Sequence, residues 1–152
     1  GILMGDFRDI IEFAIRSEVE AKEYYQQVAA KTSNDMVKKL FLEFAEEEVK
    51  HEQLLTGILN NNEATVNFKK TQDYKLSETI PDPDMSGRVT MADIIAVAMK
   101  REERAMNMYL NLAKDSASDT IKDLFSGLAD MERGHKVKLE QAYTDVAYVE
   151  AW

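Results

Sequence analysis

Apolar residues recur every three or four positions along four stretches of the chain, which is the spacing of amphipathic α-helices. We predict a first helix from about residue 6 to 32 and a second from about 34 to 60. A third helix is predicted from about 90 to 115, and a fourth from about 120 to 143. The turns within each pair are short, so each pair is predicted to form an antiparallel hairpin.

The segments between these stretches carry turn and capping signals. The Thr-Ser-Asn-Asp sequence at 32–35 supplies capping residues for the second helix, and Thr90 with Asp93 predicts a capping box for the third. Residues 61–89 are polar, rich in turn residues and too long for a hairpin turn, so we predict a crossover that connects the two hairpins. We expect residues 144–152 either to dock on the helices or to fray.

The second hairpin repeats the first. A shift of 84 positions aligns residues 9–56 with 93–140 without a gap, and about one position in three is then identical, well above chance. The matched pairs include Glu18 with Glu102, Tyr25 with Tyr109, Glu48 with Glu132, and His51 with His135. The sequence therefore predicts a single all-α domain over residues 1–152, a four-helix bundle with an internal two-fold repeat and halves at about 6–60 and 90–143.

Charged residues interrupt the apolar stripe near the middle of each predicted helix. Each helix presents one glutamate there, and two helices add a histidine three residues later, on the same helix face. These positions use both histidines of the chain. The glutamates are Glu18, Glu48, Glu102 and Glu132, and the histidines are His51 and His135.

Four carboxylates inside one bundle would repel each other strongly, and burying them is costly unless they bind metal. Two divalent cations balance the four negative charges, and the two imidazoles complete a ligand set of six. The sequence therefore predicts a two-metal site. Carboxylate and imidazole ligands suit iron or manganese better than calcium, and the absence of thiolates argues against structural zinc.

Composition narrows the remaining function classes. The chain has no cysteine, which excludes disulfides, thiolate nucleophiles and cysteine-ligated iron–sulfur centres, and it carries a net charge of −9. We expect neither a nucleic-acid nor a membrane partner, because such a surface repels both and no apolar stretch approaches about 20 residues. Residues 1–6 have no basic leader or long apolar run, so we expect no signal peptide and a cytoplasmic location.

The ligand pattern resembles that of the ferritin-like di-iron carboxylate proteins, with one Glu from each of two helices and Glu-x-x-His from each of the other two. The stretches Glu-Val-Glu-Ala-x-x-x-Tyr at 18–25 and Ala-Glu-Glu-Glu-Val-Lys-His at 45–51 look like the rubrerythrin family. The resemblance implies that Glu48 and Glu132 bridge two iron ions, or manganese or mixed metals. It implies that the remaining glutamates and the two histidines are terminal ligands and that Tyr25 and Tyr109 lie close by. The two tyrosines either assist catalysis or pack in the core with a satisfied hydroxyl group.

The chain departs from the family pattern in two ways. Rubrerythrins carry a rubredoxin-like domain with four cysteines, so a chain without cysteine needs a separate electron donor, such as a rubredoxin-type protein. Rubrerythrins also carry an extra glutamate three residues after the third-helix ligand, where this chain has Ala105. That departure puts the redox-linked ligand exchange of the family in question and predicts a more symmetric site.

The resemblance implies a non-haem di-iron oxidoreductase that reduces H₂O₂ or O₂ in oxidative-stress defence, and family habit implies a homodimer. One alternative is an iron-binding or ferroxidase-type metal-handling protein without a dedicated organic substrate. Another is a purely structural bundle, either with the glutamates on solvated helix faces or descended from a metalloprotein that no longer binds metal.

Overall fold

The computed structural model describes residues 4–61, 75–116 and 118–151, and every regular element in these ranges is helical. Residues 62–74 of the predicted crossover lie outside the described residues. Ala117 and Trp152 also lie outside them. The helices are α1 (Met4–Lys31), α2 (Asp35–Asn61), the short α3 (Leu76–Thr79), α4 (Met91–Asp115) and α5 (Asp119–Ala151). No helix in the described part is long and apolar enough to cross a membrane.

The four long helices confirm the four predicted ones, and their caps explain where two of them begin. Asn34 Oδ1 accepts a hydrogen bond from the Val37 N–H at 3.1 Å, which caps α2. The capping box of α4 is confirmed, because Thr90 Oγ1 accepts from the Asp93 N–H at 3.1 Å and Asp93 Oδ2 accepts from the Thr90 N–H at 2.9 Å. These local bonds satisfy backbone donors that have no partner within the helix.

The predicted end of the fourth helix at about residue 143 was wrong, because α5 continues to Ala151. No proline or glycine follows Tyr143 before the end of α5. Val146 is buried and lies four residues after the buried Ala142, so the apolar stripe continues through the added turns. Residues 144–151 are therefore an extension of the helix and not a separate tail.

The structure divides into two compact units, and the first contains α1, α2 and the start of α5 as far as Leu124. Helices α1 and α2 pack together as a hairpin. The ring of Tyr25 contacts Phe41 and Phe44, with ring centroids 5.3 and 5.4 Å apart, and all three rings are buried. This aromatic layer and the buried aliphatic residues elsewhere along α1 and α2 fix how the two helices face each other. The aliphatic residues include Ile11, Val37, Leu55 and Ile58.

The second unit contains α3, α4 and α5 from Phe125 onward. The rings of Tyr109 and Phe125 stack with centroids 6.1 Å apart, at the positions that correspond to Tyr25 and Phe41 in the repeat. The sequence did not predict α3. It begins after Lys75, which adopts the left-handed backbone conformation with φ 58° and ψ 27°.

Candidate metal centre

In the first unit, three predicted ligands meet on the facing sides of α1 and α2. Glu18, Glu48 and His51 are 2%, 1% and 3% exposed. The apolar stripe explains their orientation, because Ala14 precedes Glu18 by one turn and Phe44 precedes Glu48 by one turn, and both are buried. The three polar side chains therefore occupy core positions, as their place in the pattern predicts.

The distances between these side chains fit ligands of a common ion. His51 Nδ1 lies 3.5 Å from Glu18 Oε2 and 3.8 Å from Glu48 Oε2. Both separations are longer than a good N–H···O hydrogen bond, which is about 2.7 to 3.2 Å. Oxygen and nitrogen ligands held about 2.1 Å from one ion are themselves about 3 to 4 Å apart. The first trio, Glu18 with Glu48 and His51, is therefore spaced for a metal ion.

The second unit repeats this arrangement with Glu102 on α4 and Glu132 with His135 on α5. The three are 2%, 1% and 2% exposed. His135 Nδ1 lies 3.5 Å from Glu102 Oε1 and 3.8 Å from Glu132 Oε2, the same two distances as in the first unit. This second trio, Glu102 with Glu132 and His135, shows that the internal repeat extends to the geometry of the polar side chains.

The chemistry of the donors fits one divalent cation in each unit. Within each trio, one ligand atom from every residue lies within 4.8 Å of the others. Two carboxylates carry a charge of −2 when ionised, and burial makes their mutual repulsion costly. One divalent cation per trio cancels that charge, and the neutral imidazole adds a ligand without adding charge.

The structure places Tyr25 and Tyr109 two helical turns after Glu18 and Glu102 on the same helix faces, and both are buried. Their rings lie in the aromatic layers of their units. Ala105 is half-buried on α4, one turn after Glu102, and Ala21 holds the corresponding position on α1. A methyl group offers no ligand atom, so the two units match at this position as well.

Sequence reasoning missed a set of buried charged residues on α5 that are not members of the two trios. These residues are Asp130, Lys136 and Glu140. They do not follow the apolar pattern, and the corresponding residues of the first half, Glu46, Glu52 and Thr56, are exposed or half-buried. The sequence therefore carried no signal for them, since their burial depends on what packs against α5.

The long helices and the paired Glu-x-x-His motifs define a ferritin-like helical bundle of the carboxylate-rich class, which confirms the predicted fold class. The family model for rubrerythrin matches residues 9–143. The solved structure of a hypothetical protein from Pyrococcus furiosus is similar to this chain, with 30% sequence identity and a TM-score of 0.71. The match covers 95% of this chain and 94% of that one. No curated protein matches the chain significantly. The chain belongs to the rubrerythrin family.

Proposed function

We propose that the two trios together form one two-metal centre and that the protein is a di-iron oxidoreductase that reduces H₂O₂ or O₂ with an external electron donor. The repeated trio carries this proposal, because two buried sets of two carboxylates and one imidazole have the same spacing. Membership of the rubrerythrin family supports iron as the metal.

Each residue has a defined task in this proposal. Glu48 and Glu132 would be shared by the two ions, and each of the other glutamates and the histidines would hold one ion. The four carboxylates and two divalent cations then sum to zero charge, which removes the cost of burying the glutamates. The bound iron supplies the electrons that reduce the oxidant.

The tyrosines and alanines shape the surroundings of the centre in this proposal. Tyr25 and Tyr109 hold a phenolic proton near the ligands, within aromatic layers that exclude water. The methyl groups of Ala21 and Ala105 leave room for the oxidant beside the terminal glutamates. We propose that electrons come from a separate protein of the rubredoxin type, because none of these 152 residues is a cysteine that could hold an electron-transfer iron. We also propose a cytoplasmic homodimer.

Metal analysis tests the centre. Protein prepared from iron- and manganese-replete cells is expected to contain two metal ions per chain by mass spectrometry, and the double variant Glu48→Ala with Glu132→Ala is expected to contain none. Val49→Ala with Arg133→Ala is the matched control, since these two residues also correspond in the repeat and are half-buried. A metal-free wild type that Fe(II) cannot reload would overturn the proposal.

A second function, oxidation and transfer of iron without another substrate, is favoured by one observation. Ala105 stands where the family has the additional glutamate of its redox-linked ligand exchange. Ala21 at the matching position leaves the first unit without such a glutamate as well. Peroxide consumption with an excess of reductant distinguishes the two functions. An oxidoreductase consumes many equivalents of peroxide per centre, whereas an iron carrier reacts once for each pair of Fe(II) ions bound.

A further inference from the structure

One residue of the crossover, Ser77 in α3, is fully buried, and three of its polar groups bind side chains of the two ligand helices of the second unit. Its backbone N–H donates to Glu140 Oε2 at 2.8 Å, and its hydroxyl donates to Glu103 Oε2 at 2.8 Å. Its carbonyl oxygen accepts from the Lys100 ammonium, which also pairs with Glu103 at 3.7 Å. Hydrogen bonds to charged groups are among the stronger ones in proteins.

These partners lie beside the second trio in the sequence. Glu103 follows the ligand Glu102 directly, and Lys100 precedes it by two residues on α4. Glu140 lies five residues after the ligand His135 on α5. Ser77 therefore ties α4 to α5 close to the points from which both helices extend their ligands. We call this group of four residues, Ser77, Lys100, Glu103 and Glu140, the Ser77 anchor.

The first unit has different chemistry at the corresponding positions. The residues that match Lys100, Glu103 and Glu140 are Arg16, Val19 and Thr56. Arg16 and Thr56 are exposed, Arg16 lies over the ring of Phe13 at 5.9 Å, and valine has no polar side-chain atom. At these three matched positions, the first unit therefore lacks the side chains that bind Ser77 in the second unit.

The backbone two residues before Ser77 also adopts an uncommon conformation. Lys75 has φ 58°, a left-handed conformation that residues other than glycine seldom adopt. Such conformations persist where the surrounding contacts determine them. The anchor supplies such contacts two residues later, which indicates that α3 occupies one fixed position against α4 and α5.

We infer that the Ser77 anchor makes the two metal positions unequal, so that the second trio binds the first and tighter ion although both trios have the same ligands and distances. This inference rests on the proposed two-metal function. Without metal, the carboxylates of a trio repel each other, and this repulsion acts to separate the two helices that carry them. A trio whose helices are tied together undergoes less rearrangement when it binds an ion, and its affinity rises accordingly.

Anaerobic titration of the metal-free protein with Co(II), against a competing chelator, measures the affinities of both steps by visible absorption. The wild type is expected to bind two Co(II) ions in two resolved steps. His135→Ala is expected to lose the tighter step and His51→Ala the weaker one. Two equal steps, or loss of the tighter step in His51→Ala, would overturn the inference and leave the two-metal function intact. Absence of any Co(II) binding would overturn the proposed function itself.

Variants of the Ser77 anchor test whether the anchor causes the difference between the two metal affinities. Ser77→Ala and Lys100→Ala are each expected to weaken Co(II) binding in the tighter step about tenfold and in the weaker step less than twofold. A tenfold loss of metal affinity is the lower end of the range for residues that support metal ligands. Arg16→Ala, at the matching position of the first half, is expected to change neither step more than twofold. Circular dichroism of each metal-free variant verifies its helix content. Equal weakening of both steps, or no weakening in either anchor variant, would contradict the assignment.

Discussion

The two halves of the chain carry the same ligand trio with the same distances, but they differ at three other positions of their ligand helices. Helix α5 buries Asp130, Lys136 and Glu140 at these positions. The matching residues of α2 are exposed or half-buried, and Thr56 in place of Glu140 is exposed. The two halves are therefore alike at the ligand positions and differ in burial and charge at these three positions.

The largest expected effect tests whether the two cores are equivalent. Phe41→Ala and Phe125→Ala remove matching buried rings from the aromatic layers, and each is expected to lower the free energy of unfolding by about 3 to 5 kcal/mol. Chemical denaturation of the metal-free protein measures both values. Leu42→Ala, at an exposed position, serves as control and should change stability by less than about 0.5 kcal/mol. A loss below about 1 kcal/mol in only one phenylalanine variant would show that the cores differ.

Metal addition is expected to have the next largest effect when the gain is counted for each ion. Co(II) at 100 to 1,000 times its dissociation constant should stabilise the wild type by about 3 to 4 kcal/mol for each ion bound, because only the folded chain brings the ligands together. Thermal unfolding with and without Co(II) measures this gain. His51→Ala and His135→Ala should each keep part of it, and Glu48→Ala with Glu132→Ala should lose it. An undiminished gain in the double variant would place the ions elsewhere.

Removal of the Glu140 side chain tests the difference between the two halves at the matching positions 56 and 140. Glu140→Ala leaves the buried Ser77 N–H without its acceptor, and the metal-free protein is expected to lose about 1 to 3 kcal/mol of stability. Thr56→Ala, at the matching exposed position, should stay within about 0.5 kcal/mol. Denaturant unfolding measures both, and equal losses in the two variants would remove the contrast.

The smallest expected effects concern the helix caps. Asn34→Ala removes the cap of α2 and Thr90→Ala removes one side of the capping box of α4, and each should cost about 1 kcal/mol. Replacement by glycine should cost only a few tenths, since glycine tolerates the cap conformation. A series of denaturant unfolding curves for the four variants measures these losses. Equal losses for alanine and glycine would show that the side-chain oxygens do not act as caps.

Local signals explain how much of this structure could be predicted. The 3.6-residue period located four helices, and the Thr90–Asp93 pair located the start of α4, because both depend only on neighbours in the chain. The apolar stripe likewise predicted that Glu18, Glu48 and their counterparts would be buried. That these residues bind two metal ions stays a prediction until metal is measured.

The remaining features depend on contacts between residues far apart in the sequence. Ser77 and Glu140 are 63 positions apart, and no local pattern indicates that a serine in a polar segment becomes fully buried. The short α3 has four residues, too few to show a period. The extension of α5 was missed because Thr144 and Asp145 weaken the apolar pattern, whereas the buried Val146 continues it.

The 84-residue repeat also has an evolutionary consequence. Two separate copies of one hairpin would form a symmetric pair, in which any substitution appears in both copies at once. Fusion of the two copies into a single gene ends that coupling, so one hairpin can acquire Ser77 partners such as Glu140 while the other keeps Thr56. Gene fusion thus allows symmetry to be broken at positions such as 56 and 140 while selection preserves it at the ligands.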